Sequence, residues 1–125
     1  MNIALTSIPV NDPIAAFRFY TEILGFKEKL YMPEMVLAIV VSADDPNGTA
    51  LLLEPNNNPI SKPFQEAVYA KNLPIIVLGT KDIQADYERL KDLGVVFRGE
   101  PKKTDWGTQV VFEDTCGNLI QLHQA

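Results

Sequence analysis

The chain contains one cysteine, one histidine and one tryptophan among its 125 residues. A single cysteine, Cys116, excludes any disulfide within the chain and fits a reducing compartment, so a cytoplasmic location is expected. A single imidazole, His123, is too few for a two-histidine, one-carboxylate iron site. A symmetric dimer with two equivalent sites would not change that ratio. Basic charge is also scarce: 11 Lys and Arg stand against 16 Asp and Glu, a formal net charge of -5. With no general positive field to gather phosphates or anionic lipid, neither nucleic acid nor a membrane surface is expected as a partner. The longest apolar run, Met35 to Val41, falls far short of the roughly 20 residues a membrane-crossing helix needs. The first residues show neither a basic stretch nor a sustained apolar segment, so no secretory signal is expected. Phosphate-cradling glycine loops, a Ser-His-Asp pattern and metal-spaced Cys/His sets are missing too.

What is present is ordinary globular material, 46% apolar and 22% charged, which excludes disorder and a disulfide-rich miniprotein. The length suits one domain spanning 1–125. Asp12 as cap, Pro13 at the first helical position and Ala16, Phe19, Tyr20 and Ile23 at helical spacing predict a helix that Gly25 ends. Asp82, then Ile83, Tyr87 and Leu90, then Gly94 repeat the plan. Strand patterns precede and follow each helix: residues 3–10, 26–31, 36–42 and 49–54 around the first, and 74–79, 95–99, 109–113 and 119–123 around the second. The chain therefore reads as two copies of strand, helix, strand, strand, strand. Unit one covers about 1–55, a Pro- and Asn-rich linker about 56–72, and unit two about 73–125. Residues 62–70 in that linker are compatible with a short helix or a loop.

Such a unit cannot cover both its helix and its sheet alone. The expected fold is α+β, two βαβββ units paired by a pseudo-twofold axis, with curved mixed sheets enclosing a cavity and the helices outside.

Val10-Asn11-Asp12, Phe19 to Phe26 (FYTEILGF), Trp106-Gly107 and Phe112 to Leu122 (FEDTCGNLIQL) resemble the vicinal oxygen chelate superfamily. That family contains glyoxalase I, extradiol dioxygenases, fosfomycin-resistance enzymes and bleomycin-binding proteins. Its metal enzymes take one ligand from each of four strands. The resemblance puts those positions at Leu5, at or next to Leu53, at Pro74 and at Gln121, and three of the four side chains cannot bind a metal. Gln121 offers only a weak neutral oxygen. No catalytic transition metal and no cofactor are therefore expected. The resemblance implies a metal-independent, bleomycin-resistance-like protein that sequesters or senses a small organic ligand, and a homodimer. The alternative is a glyoxalase-like lyase or isomerase using Glu54, Gln121 or His123, and a third reading is an interaction module with a filled cavity.

Strand alternation puts Gln121 and His123 on one face and Ile120 and Leu122 on the other. If the latter pair packs on a helix, the former pair faces the cavity. His123 is otherwise a frayed terminal residue. Trp106 is a flat platform for a ring-bearing ligand, or else a rim or core residue. Leu5, Leu51 and Leu53 are expected to supply an apolar lining. Glu113 is read as solvated, Arg98, Lys102 and Lys103 as a solvated basic edge, and Cys116 as part of a turn too far from His123 for nucleophilic catalysis.

Overall fold

The computed structural model describes all residues from Met1 to Ala125, and the chain divides into two compact units, Met1–Gln65 and Glu66–Ala125. In the first, β1 (Leu5–Val10) leads to α1 (Pro13–Arg18), which runs on into a π turn over Phe19–Ile23. β2 (Lys27–Met32), β3 (Leu37–Ser42) and β4 (Asp45–Pro55) follow. The strand order is β1-β4-β3-β2, with β1 parallel to β4 and the other neighbours antiparallel. Asp12 caps α1 as its sequence requires: its Oδ1 accepts the Ile14 and Ala15 amides at 3.0 and 3.4 Å.

The second unit repeats the order. β5 (Ile76–Gly79), α3 (Ile83–Asp92), β6 (Lys102–Thr104), β7 (Gly107–Glu113) and β8 (Leu119–Gln124) build a sheet of order β5-β8-β7-β6. Asp82 caps α3 through the Ala85 amide, and Gln124 Oε1 on β8 accepts the Ile83 amide at 2.7 Å. A strand side chain thus satisfies one of the helix's orphan donors. Gly25 and Gly94, just beyond the helical segments, have φ of +89° and +91°, the left-handed geometry that ends helices and favours glycine.

Two segments depart from the sequence reading. Residues 95–99 form no strand: Phe97 makes a single bridge to Phe112, and the edge strand is Lys102–Thr104 instead. The apolar Val95 and Phe97 mimic a strand because they pack inward, with Phe97 against the rings of Tyr87 and Phe112. The linker carries a helix, α2 (Ser61–Ala70). Its start is held by Asn58 Oδ1, which accepts the Ile60 and Ser61 amides. Its buried Gln65 donates to the Pro9 carbonyl and accepts from Asn56, whose amide also donates to Asn11 Oδ1. These bonds keep buried amides paired, which is the condition for burying them at all.

Each sheet has one face turned to its helix. In the first unit Tyr31 stacks on Phe17 of α1 with ring centroids 3.9 Å apart. Tyr31 pairs with Ala38, two residues from Val40, and Val40 pairs with Leu51. Cross-strand partners share a face, so the α1 side carries Ile8, Ala38, Val40, Leu51 and Leu53, all buried. In the second unit Val110, Phe112, Ile120 and Leu122 form the corresponding buried layer on the side of α3 and Gln124.

Candidate functional site

The opposite faces of the two sheets are not covered by their own helices, and the residues expected to carry function divide between them by strand parity. In the first unit Leu5 pairs with Ala50, and Leu52 with Ser7 and Ile39. Leu5, Ala50 and Leu52 therefore lie on the open side, whereas Leu51 and Leu53 lie under α1 at 6% and 0% exposure. The apolar lining expected from Leu5, Leu51 and Leu53 is corrected accordingly: a pleat of period two puts residues 51 and 53 on the core side and residue 52 beside the expected position. Aligning the caps Asp12 and Asp82 also makes Ile75, one residue beyond Pro74, the counterpart of Leu5.

In the second unit Gln121 and His123 point away from Ile120 and Leu122, to the side that α3 leaves open. Gln121 Nε2 donates to Gln109 Oε1 on β7 at 2.9 Å, and Gln109 is the cross-strand partner of His123. Sequence reasoning missed Gln109. The only signal for it was its position at the start of a strand pattern opposite His123, and that register appears only when β7 and β8 pair.

Two glycines flank His123. Gly79 is its partner on β5, and a side chain there would meet nothing within 4 Å. On the β7 side, a Cβ built on Gly107 would come within 3.0 Å of His123 Cε1 and 2.3 Å of the Gln124 carbonyl. Gly107 thus allows the imidazole and the end of β8 to approach the hairpin closely. Trp106 occupies the two-residue turn of that hairpin, between paired Thr104 and Gly107, and is 85% exposed. It is a surface residue at the lip of this sheet.

The basic edge is not uniform. Arg98 is engaged: its guanidinium donates to the Tyr69 hydroxyl at 3.1 Å and to Asn72 Oδ1 at 3.2 Å, and lies 3.6 Å from Glu113. Tyr69 in turn donates its hydroxyl to Glu113. Glu113 is accordingly a structural acceptor rather than a merely solvated group. Its acceptance of the phenolic proton holds Tyr69 above the usual tyrosine range, an effect Arg98 partly offsets. Lys102 pairs with Gln109 and Lys103 with Thr108, so the two lysines point to opposite faces of β6. Cys116 is buried in a turn organised by the buried Asp114, whose Oδ1 accepts the amides of Cys116 and Asn118.

No three His, Cys, Asp or Glu side chains converge in a metal-binding arrangement. Leu5, Leu52, Leu53, Pro74 and Ile75 have no donor atoms in their side chains, so the side-chain chemistry at the expected ligand positions does not fit a transition metal. The arrangement in the second unit offers hydrogen-bond donors and acceptors beside apolar Val77 and Val111, which suits the recognition of an organic molecule.

Comparison with known proteins agrees with this fold. The chain is 48% identical to the uncharacterized protein YurT of Bacillus subtilis (strain 168) over 99% of both sequences. Among solved structures it is similar to UcmS2, with a TM-score of 0.81 and 31% identity, covering 98% of this chain and 97% of that one. It is also similar to TnmS3, an antibiotic binding protein from Streptomyces sp. CB03234, with a TM-score of 0.79 and 33% identity over 99% and 95% of the two chains. Residues 2–122 match the Glyoxalase/Bleomycin resistance protein/Dioxygenase superfamily, and with that match, the repeated βαβββ order and the relatives above, the chain belongs to this superfamily.

Proposed function

We propose that the protein is a metal-independent small-molecule binder that sequesters or senses an organic ligand on the open face of its second sheet. The carrying observation is the half-buried Gln121, Gln109 and His123 group on the face opposite the α3 core. Polar side chains turned away from a core and left accessible are available to a ligand, whereas the same groups beneath a helix would be structural. The similarity to an antibiotic-binding protein supports this reading. Trp106 adds a flat apolar surface at the lip. In this reading residues 1–125 act as one domain, in the cytoplasm, and two copies associate as a homodimer.

Dye-based thermal shift against a panel of aromatic compounds tests the proposal. A true ligand raises the melting temperature with concentration, by mass action, and Trp106→Ala reduces that shift without lowering the melting temperature of the free protein. A chelator leaves the melting temperature unchanged. A panel without any concentration-dependent shift, or a melting temperature that collapses with chelator, would count against the proposal. Sedimentation equilibrium reads the dimer directly.

A further inference from the structure

The open face of the second sheet is ordered in rows. One row crosses the strands as Gly79, His123, Gln109 and Lys102, and the row beside it runs Val77, Gln121 and Val111. Partners in register share a face, so a polar row ending in a cation lies alongside an apolar row with one amide at its centre.

That amide fixes the polarity of its neighbour. A glutamine side chain offers one carbonyl and one NH2 group, and Gln109 uses its carbonyl to accept from Gln121 Nε2. The Gln109 NH2 group is thereby left as the outward group, next to the imidazole on one side and the Lys102 ammonium on the other. None of these three donors makes a hydrogen bond within the chain, and Lys102 is exposed. The imidazole is half-buried, with no side chain on its β5 partner Gly79. Carboxylates do not compete here: Glu113, on the same side of β7, already accepts from Tyr69 and pairs with Arg98. The other carboxylates near it along the chain, Glu100 and Asp105, are exposed and lie outside the ladder.

Resting on the reading of this face as the ligand site, we propose that its ligand is a planar aromatic compound bearing an anionic oxygen group, a carboxylate or an ionised acidic hydroxyl. The Gln109 NH2 group, His123 and Lys102 receive the anionic oxygens, and the ring covers Val77 and Val111. Gln121 acts as a positioning residue, holding the Gln109 amide with its donors outward. The ligand's charge is thus opposite to that of Lys102, although the whole chain carries a net charge of -5.

Three probes of one ring and three charges decide the matter by calorimetry on the full chain: 2-naphthoate, its neutral methyl ester and 2-naphthylmethylammonium. The expected result is a Kd for 2-naphthoate at least about tenfold below the other two, the factor one charge-assisted hydrogen bond supplies. Gln109→Glu, of nearly identical shape, erases that preference while the ester binds as before. Gln121→Leu lowers the acid-to-ester ratio several-fold without changing ester affinity, because the Gln109 amide is then free to turn. Circular dichroism checks that both variants fold. Equal binding of the three probes, tighter binding of the cation, or an acid preference that survives Gln109→Glu overturns the anion assignment while the ligand-site reading stands. If no probe binds at 1 mM, both fail together.

Discussion

The two sheets share a topology and differ in the chemistry of their open faces. Aligned on their helix caps, Ser7 corresponds to Val77, and their partners across the parallel ladder are Leu52 and Gln121. From Leu52 the first sheet continues through Ile39 to Leu30, whereas from Gln121 the second reaches Val111 and, one row on, Gln109, His123 and Lys102. The helix-facing sides show no such divergence: Ile8, Val40 and Leu53 in one unit match Val110, Ile120 and Leu122 in the other as buried aliphatic layers. A repeated backbone therefore constrains the core side in both units, because each must cover a helix, and leaves the other side free to specialise. The open face of the first sheet carries Ser7 and Glu54 beside its leucines, whereas the second brings Gln109, Gln121, His123 and Lys102 into adjacent rows, and that concentration marks the second sheet as the place where recognition is chemical as well as apolar.

The comparison breaks most visibly at the core. Leu53→Ala, under α1, is expected to destabilise by about 2–5 kcal/mol in denaturant unfolding, through lost burial and the cavity left behind. Gln121→Leu, on the open face of the other unit, should change stability by about 0.5 kcal/mol or less. If the two cost the same, the assignment of faces is wrong.

Glycine positions sharpen it next. Gly107→Ala forces a Cβ into the Gln124 carbonyl at a φ of +128°, and should cost about 2 kcal/mol while shifting the His123 NMR resonances. Gly25→Val, with no neighbour within 4 Å of its Cβ but a φ of +89°, suffers backbone strain alone, about 1 kcal/mol.

Trp106→Ala separates binding from folding. Because the side chain is exposed at the hairpin tip, stability should be unchanged, whereas the affinity for an aromatic ligand should fall by about 1–2 kcal/mol in calorimetry if the indole covers the ring. A loss of stability would return Trp106 to a structural role.

The smallest effect is expected at Tyr69. Its folded-state value is raised, chiefly because Glu113 accepts the phenolic proton, so the neutral phenol is the form the fold favours. The stability this contributes is complete below the unfolded tyrosine value near 10 and is lost as pH rises through the higher folded value. Subtracting the absorbance titration of Tyr69→Phe from that of the unaltered protein should leave one phenol that ionises above pH 10. A difference step below that pH would remove the Glu113 contact from the account.

Much of this organisation is legible in the sequence because it depends on local rules. Asp12 and Asp82 cap helices through their own neighbouring amides, Gly25 and Gly94 stop them through a backbone geometry other residues resist, and alternation alone puts Gln121 and His123 opposite Ile120 and Leu122. Residues 95–99 read as a strand because inward-packing Val95 and Phe97 alternate like one, yet their pairing with β7 stops at a single bridge, closed by the Arg98 amide on the Val111 carbonyl and the Glu113 amide on the Val96 carbonyl. The face of Leu53 is hidden in the sequence for a related reason. In the run Leu51-Leu52-Leu53 every position is apolar, so composition carries no parity signal, and the face of each leucine depends on its register against Ile8 and Val40.

The sequence by itself determined the βαβββ repeat, the helix limits and the scarcity of metal ligands, since these follow from short-range propensity, capping and simple counts. Only the tertiary structure decided which leucine faces the open side, that α2 forms and is held by Gln65, and that Gln109 meets Gln121 with His123 between two glycines. Those outcomes depend on pairing between residues distant in the chain, and cross-strand register is set when whole faces pack together, beyond the reach of any local pattern.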